Sequence, residues 1–413
     1  MPPPVVASSP SGGHWRRRAP LPPPRFYLHG SGALDFRSEI ATFTAATAGR
    51  AEVDLPHYWQ YSVDAFAVGH LYTHQWRTRS LADADLHVLA LAPSASLFAH
   101  NATDAKGEPI GNVQRMEAVM RALTSHPTTS TVWNNHSAPI VIFAPGECLL
   151  EYLGRGLCNM LKERPNVRLA TADPAFGNVG PNVPFAALYR RGVTLPYLVR
   201  ASFSRYASAA CAASSGSVDR DRHSVVFHGD TGRYDGGMRG AVRDILHYVN
   251  GSDLVSSFRM RFNSTALRPL FARTEQAMLN GALCFAPSGD TPTSRRLFEA
   301  LASGCVPIIA RQRHLWGPHL PFAALIDWNA IAYFLSPART SLAHRHRAPS
   351  LNDTVWENRR AEAAWVEAQL YEAPSQLHRA RSTALHAFCS HMDPRANPSG
   401  FLDAVLTSAQ HTA

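Results

Sequence analysis

Lysine is almost missing from this chain. Of its 40 basic residues only Lys106 and Lys162 are lysines, so a formal charge of +9 is carried almost wholly by arginine. A guanidinium is a planar fork that matches carboxylate and phosphate through paired hydrogen bonds, so this composition favours anionic partners; a GC-rich coding bias yields it equally well. The arginines are dispersed rather than interleaved with aromatics in one stripe. No nucleic acid is therefore expected as a partner, and an Arg-rich nucleic-acid-binding protein stands only as a second alternative. Long apolar runs are missing too: no stretch reaches the roughly 18 residues that a membrane span needs. Residues 1–24 are Pro-rich, lack an apolar signal core and read as a disordered linker, so either the chain is cytosolic or its targeting piece lies outside this sequence. Cysteine is sparse, with six in all and no C-x-x-C pair, which excludes a disulfide scaffold and makes a zinc centre unexpected. Cys284 and Cys305 stand in apolar runs and read as core residues, with a disulfide between elements left open.

What is present is a chain of 413 residues, 45% of them apolar, enough for two domains with full cores. Buried strands are expected near Arg25–Leu28, Leu86–Ala92, Pro139–Ala144, Val167–Ala172 and Val193–Val199. Helices are expected over Asn112–Leu123 and Leu149–Arg164, and Tyr58–Trp76 has apolar residues near helical spacing. This alternation indicates an α/β fold with doubly wound sheets. Ala207–Asp221 is small, polar and poor in large apolar residues, which marks an interdomain linker over 207–222. A second α/β set then covers 223–370, and helices over Val355–Leu370 and Ser375–Phe388 lead into a C-terminal helical segment, 371–413. The first domain is accordingly placed at 25–206.

The most informative stretch is Leu283–Ala310, LCFAPSGDTPTSRRLFEALASGCVPIIA. It reads as a buried strand, a turn at Ser288, Gly289 and Asp290, an amphipathic helix with Thr291 as N-cap, a stop at Gly304 and a β-branched second strand. Such a βαβ unit places small groups and arginines beside a helix N-terminus, which favours a phosphate. Arg296 and Glu299, three residues apart, share one helix face; Arg296 can fork to phosphate oxygens and Glu299 can accept from ribose hydroxyls. Arg295 is read as lying off that face. A second loop, Gly229, Asp230, Thr231, Gly232 and Arg233, also follows a strand and precedes a helix, so its backbone N–H groups suit phosphate, with Arg233 and Arg239 as further diphosphate contacts. It lacks the full G-x-G-x-x-G pattern and the P-loop lysine.

These residues resemble a known family. Leu283–Ala310 is similar to the signature of the exostosin-type glycosyltransferases, glycosyltransferase family 47. LPFAALIDWNAIAYF at Leu320–Phe334, ADADLHVLALAPS at Ala82–Ser94, the strand entry at Pro127–Phe143 with Trp133 and Asn134, and FHGDTGRYDGGMRG at Phe227–Gly240 resemble further family segments in order. One step departs: Ala144-Pro145-Gly146-Glu147 stands where the family has its HDWG sequence. The resemblance implies the GT-B architecture, two Rossmann-like domains facing across a cleft, with donor binding in the C-terminal domain and acceptor binding mainly in the N-terminal one. It implies inverting transfer of a hexosyl or pentosyl unit from a nucleotide-diphosphate sugar, a co-substrate rather than a cofactor, to a glycan or polysaccharide acceptor. It also implies a Golgi membrane or lumenal location and a related transferase as hetero-oligomeric partner. The lost HDWG step motivates a first alternative, a catalytically silent relative that binds glycan or stabilises a partner.

Inverting transfer needs a base for the acceptor hydroxyl, and the candidates are Glu147, at the carboxyl end of a buried strand, and Asp230. The D-x-D patterns at Asp83–Asp85 and Asp219–Asp221 read as solvated turns, and His344 and His346 as a solvated loop, so a metal-independent reaction is expected. Tyr58, Trp59, Tyr61, Trp76 and Trp133 read first as core, with a sugar-stacking wall as the other reading. Sequons at Asn101, Asn135, Asn250, Asn263 and Asn352 lean towards a secretory lumen.

Overall fold

The computed structural model describes residues 22–50, 60, 62–100, 110–135, 138–144, 149–172, 188, 191–213, 224–231, 238–256, 264–288, 294–310, 320–335, 353–371 and 374–411. The chain divides into two compact units. Of the described residues, the first comprises those from 22 to Leu198, Pro321–Ile326 and those from Ser390 onward; the second comprises those within Val199–Leu320 and Asp327–Cys389.

The first unit is built on a parallel sheet of β1 (Phe26–His29), β2 (Arg77–Thr78), β3 (Leu86–Leu89), β4 (Ile140–Phe143), β5 (Val167–Thr171) and β6 (Val193–Thr194), in the order β2-β1-β3-β4-β5-β6. β3, β4 and β5 are buried at every residue, the pattern of parallel strands covered on both faces. Its helices are α1 (Arg37–Thr47), α2 (Val63–Ala67), α3 (Pro93–Ala99), α4 (Ile110–Ser125), α5 (Pro127–Asn134) and α6 (Leu149–Lys162). Pro127–Asn134 is thus a helix with Pro at its start, not the beginning of a strand. A 3-10 helix at Val68–Thr73 continues α2, so the helical spacing read over Tyr58–Trp76 is realised in part.

The second unit contains α7 (Ala201–Ala212), β7 (Ser224–Gly229), α8 (Met238–Leu246), β8 (Ser252–Ser256), α9 (Ser264–Asn280), β9 (Gly281–Phe285), α10 (Arg295–Ser303), β10 (Val306–Ala310), α11 (Trp328–Ile331), β11 (Tyr333–Leu335), α12 (Asp353–Tyr371) and α13 (Pro374–His391). Its strands are all parallel in the order β11-β10-β9-β7-β8. Phe227, Phe285 and Ile308 from the sheet pack with Val242 and Ile245 of α8 and Val366 and Leu370 of α12 in one core. Ala207–Ala212, read from sequence as the start of a linker, is the end of α7. The chain closes with α14 (Pro398–His411), which returns to the first unit, where Phe401 meets Phe322 edge to face at 5.9 Å.

α10 begins after Ser294, not Thr291, and ends at Gly304, whose φ of 66° permits the left-handed cap. The Gly304 N–H donates to Leu301 O and the Cys305 N–H to Ala300 O, a paired closure that delivers the chain into β10. Cys284 and Cys305, expected as plain core residues, are disulfide-bonded; adjacent parallel strands bring them to a Cα separation of 5.8 Å. A second disulfide joins Cys211 of α7 to Cys389 of α13 across 178 residues. Cys158 is buried and not disulfide-bonded.

A chain of polar side chains in the first unit runs from the buried His87 and His29 through Thr129 to the exposed His126. His87 Nδ1 lies 3.3 Å from His29 Nε2, His29 Nδ1 lies 3.3 Å from Thr129 Oγ1, and Thr129 Oγ1 lies 3.5 Å from His126 Nδ1. Burial, with His87 and His126 nearby, pushes His29 down to about 4 from 6.5. Between those pH values the unfolded chain binds the proton and the folded chain does not, so stability falls as pH drops through this window. The loss expected from His29 is about 3 kcal/mol, and His29→Gln should flatten the pH dependence measured by urea unfolding. Removing the long-range crosslink in a Cys211→Ser/Cys389→Ser variant should cost about 3–5 kcal/mol, read as a lower denaturant midpoint.

Candidate functional site

In an open α/β sheet the ligand crevice lies beyond the carboxyl ends of the strands, where the strand order reverses. In the second unit the chain runs from β7 to β8 on one side and then to β9 on the other, so the reversal lies between β7 and β9. The segments leaving those strands are Asp230–Thr231 and Ala286–Ser288. Arg239, buried at the start of α8, ties them together: its Nε donates to Ser288 O at 3.1 Å and its Nη1 to Asp230 O at 3.3 Å. Gly229 leaves room for this crossing. A Cβ there would stand 3.0 Å from the Phe227 ring and 3.6 Å from Arg239 Nη1.

Glu299 is the electrostatic centre. Its carboxylate is fully buried, with Oε1 2.9 Å from Arg200 Nε and 3.3 Å from Arg295 Nε, and Oε2 accepting from Arg296 Nη1. Burial works to raise its pKa, and the charges of Arg200, Arg296 and Arg295 outweigh it, holding the carboxyl far below the usual carboxylate range. Arg296 Nε donates to His228 O at 2.8 Å, fixing α10 to the end of β7. Burial, with the like charges of Arg200 and Arg295, brings Arg296 down to about 10 against the pull of Glu299. Arg200 Nη1 donates to Phe271 O at 2.9 Å, and its guanidinium lies over the Phe203 and Phe271 rings. Exposure decides which of these groups a ligand can meet: Arg295 and Arg296 leave 18% and 20% of their side chains open, Glu299 none. Below them His228 Nδ1 is 3.1 Å from Thr274 Oγ1 and its Nε2 3.1 Å from Asp253 Oδ1.

The residues singled out from the sequence fall into three groups. Gly229, Asp230, Thr231, Arg239, Ser288, Arg296 and Glu299 belong to this edge of the second unit. Glu147, Gly232, Arg233, Gly289 and Asp290 lie outside the described residues, as do Tyr58, Trp59, Tyr61, Asp219–Asp221, His344 and His346. Trp133 is buried in the first unit, and Trp76 is half-buried with its ring edge on His74. Asp85 of the first D-x-D accepts from the Arg25 N–H at 2.7 Å and so ties the turn before β3 to the entry of β1. Two participants differ from the sequence reading. Arg295, placed off the site's face, is an i,i+4 partner of Glu299. Arg200 was missed; it lies 99 residues from Glu299, and no local pattern marks it.

Two parallel-sheet, Rossmann-like units define the fold plan of the GT-B class. Within it, residues 187–348 match the family described as the exostosin GT47 domain, so the exostosin-type resemblance holds over this segment. The chain is 24% identical to a probable arabinosyltransferase of Arabidopsis thaliana over 290 residues, 65% of this chain and 57% of the relative. It is 29% identical to an Exostosin-1 homolog of Caenorhabditis elegans over 27% of this chain and 31% of the relative. A probable glucuronosyltransferase of Oryza sativa subsp. japonica matches at 32% over 22% of this chain and 23% of the relative. The chain thus spans little more than half the length of the first of these and less of the others.

Glu299→Gln should leave three crowded guanidinium groups without their counter-charge and cost about 3–5 kcal/mol, measured by urea unfolding at neutral pH. The wild-type carboxyl is depressed from a reference of 4.5, so its contribution is present above that pH and is lost as pH falls below it. The variant should lose this acid dependence.

Proposed function

We propose that this chain is an inverting glycosyltransferase that moves a sugar from a nucleotide-diphosphate donor to a glycan acceptor, with the donor held at the β7–β9 edge of the second unit. One observation carries the reading: guanidinium groups locked in place by a buried carboxylate stay partly open beside a topological switch point. Leaving diphosphate develops negative charge as the glycosidic bond breaks, and preorganised cations stabilise it without reorganising. Arg296 and Arg295 contact the diphosphate. Arg239 holds the Asp230 and Ser288 segments in register. Glu299, with no exposed surface, acts through the arginines rather than by touching ribose. Arabinosyl and glucuronosyl names among the relatives support pentosyl or hexosyl transfer and do not choose between them. Two disulfides, with sequons exposed at Asn135 and Asn250, support an oxidising secretory compartment such as the Golgi. No described helix is long and apolar enough to cross a membrane.

The test is a thermal-shift screen of nucleotide sugars. A true donor binds only the folded protein and should raise its Tm, by an amount that grows with the logarithm of ligand concentration. Arg296→Ala should abolish the shift; retention of the full shift would remove the diphosphate role. Asp230→Asn separates the two candidate bases. Loss of transfer with the donor shift retained assigns the base to Asp230, and retained transfer points to Glu147.

A further inference from the structure

A second opening lies at the far edge of the same sheet. It is a groove of about 270 Å³ between α11, the start of β11 and α13. At the small end of ligand pockets, which run to roughly 300–1,000 Å³, it has room for one ring and not for a nucleotide sugar. Gln376, Arg379 and Thr383 recur at helical spacing and give α13 one polar face on it, opposite Asn329 of α11 and Tyr333 of β11. Ala330, Ala332 and Ala380 supply small apolar surface between them.

The polar groups of this groove are unused. Among the described residues the side chains of Asn329, Gln376, Arg379 and Thr383 make no hydrogen bond or ion pair, and the Tyr333 hydroxyl is shut off from solvent without a partner. Among the described residues no carboxylate lines the groove, and the neighbouring Asp327 is turned to the Asn329 N–H at 3.1 Å as the cap of α11. Two amides and a hydroxyl both donate and accept, which suits the hydroxyls of a pyranose. The alanines accept its C–H face, and the single guanidinium calls for one anionic substituent. We infer that this groove binds one acidic sugar residue of a glycan chain, a uronate, at a site separate from the arginine cluster around Glu299. Binding here needs no transferase activity, so the inference stands or falls independently of the proposed reaction.

The test uses the whole chain and three probes: methyl β-glucuronide, methyl β-glucoside and inorganic phosphate, followed by saturation-transfer NMR and calorimetry. The glucuronide should bind saturably. Arg379→Gln, a change at an exposed side chain, should weaken it at least about tenfold, the loss expected for one charge-assisted contact. Thr383→Trp should fill the groove and abolish binding, and if that variant fails to fold, Arg379→Gln decides alone. Arg296→Ala should bind the glucuronide as the wild type does. The inference is overturned by absence of saturable binding at concentrations on the order of 10 mM, by equal affinity in Arg379→Gln, or by loss in Arg296→Ala. Phosphate or the neutral glucoside binding as tightly as the glucuronide would also overturn it, leaving a plain anion site or a site blind to the acid.

Discussion

A single carboxylate with no exposed surface, Glu299, organises the functional edge of the second unit. Burying it alone would drive its pKa up and favour its neutral form. Three guanidinium groups reverse that outcome: Arg296 is held on the β7 carbonyl of His228, Arg200 is held on Phe271 O of α9 and lies over two phenyl rings, and Arg295 reaches the carboxylate from the first turn of α10. The carboxylate therefore joins α10 to the start of α7, and through its partners to α9 and the end of β7. Its removal would not delete one contact; it would turn a compensated cluster into mutual repulsion. Arg239 does for the loops what Glu299 does for the helices, holding the segments after β7 and β9 at a common spacing through their carbonyls.

Much of this architecture was legible in the sequence because its signals are local. The βαβ unit over Leu283–Ala310 announces itself by an apolar run, a turn, a helical period, a left-handed glycine stop and a β-branched run, all within 28 residues. Arg296 and Glu299 follow from i,i+3 spacing alone. Arg295 is the instructive error: i,i+4 is as good a contact as i,i+3, so two consecutive arginines one turn before Glu299 both reach it. Ala207–Ala212 misled differently. It lacks large apolar residues and so resembled a linker, but alanine is the best helix former, and the segment continues a helix already started at Ala201.

What stayed hidden is what only the fold brings together. Arg200 reaches Glu299 across 99 residues, and Cys211 reaches Cys389 across 178. Cys284 and Cys305 looked like ordinary strand residues; Cys284 is one and Cys305 immediately precedes β10, and their bonding follows from the adjacency of β9 and β10, which composition does not specify. The return of α14 to the first unit, with Phe322 held at a φ of 53° against Phe401, is likewise a property of the path rather than of any segment.

The charge balance of the cluster gives the site its direction. Three guanidinium groups stand within ion-pair distance of one carboxylate, an excess of two positive charges among these four groups. Burial above all, with the like charges of Arg200 and Arg295 added, brings Arg296 down to about 10 against the pull of Glu299. A surplus makes sense if the missing negative charge arrives with a ligand and increases during the reaction. A diphosphate leaving group does both: it brings charge on binding and gains more as the bond to the sugar breaks. On the proposed reading, the cluster is best balanced at the moment of bond cleavage rather than in the unliganded protein or the bound substrate, which is the distribution of charge that accelerates a reaction instead of merely tightening binding.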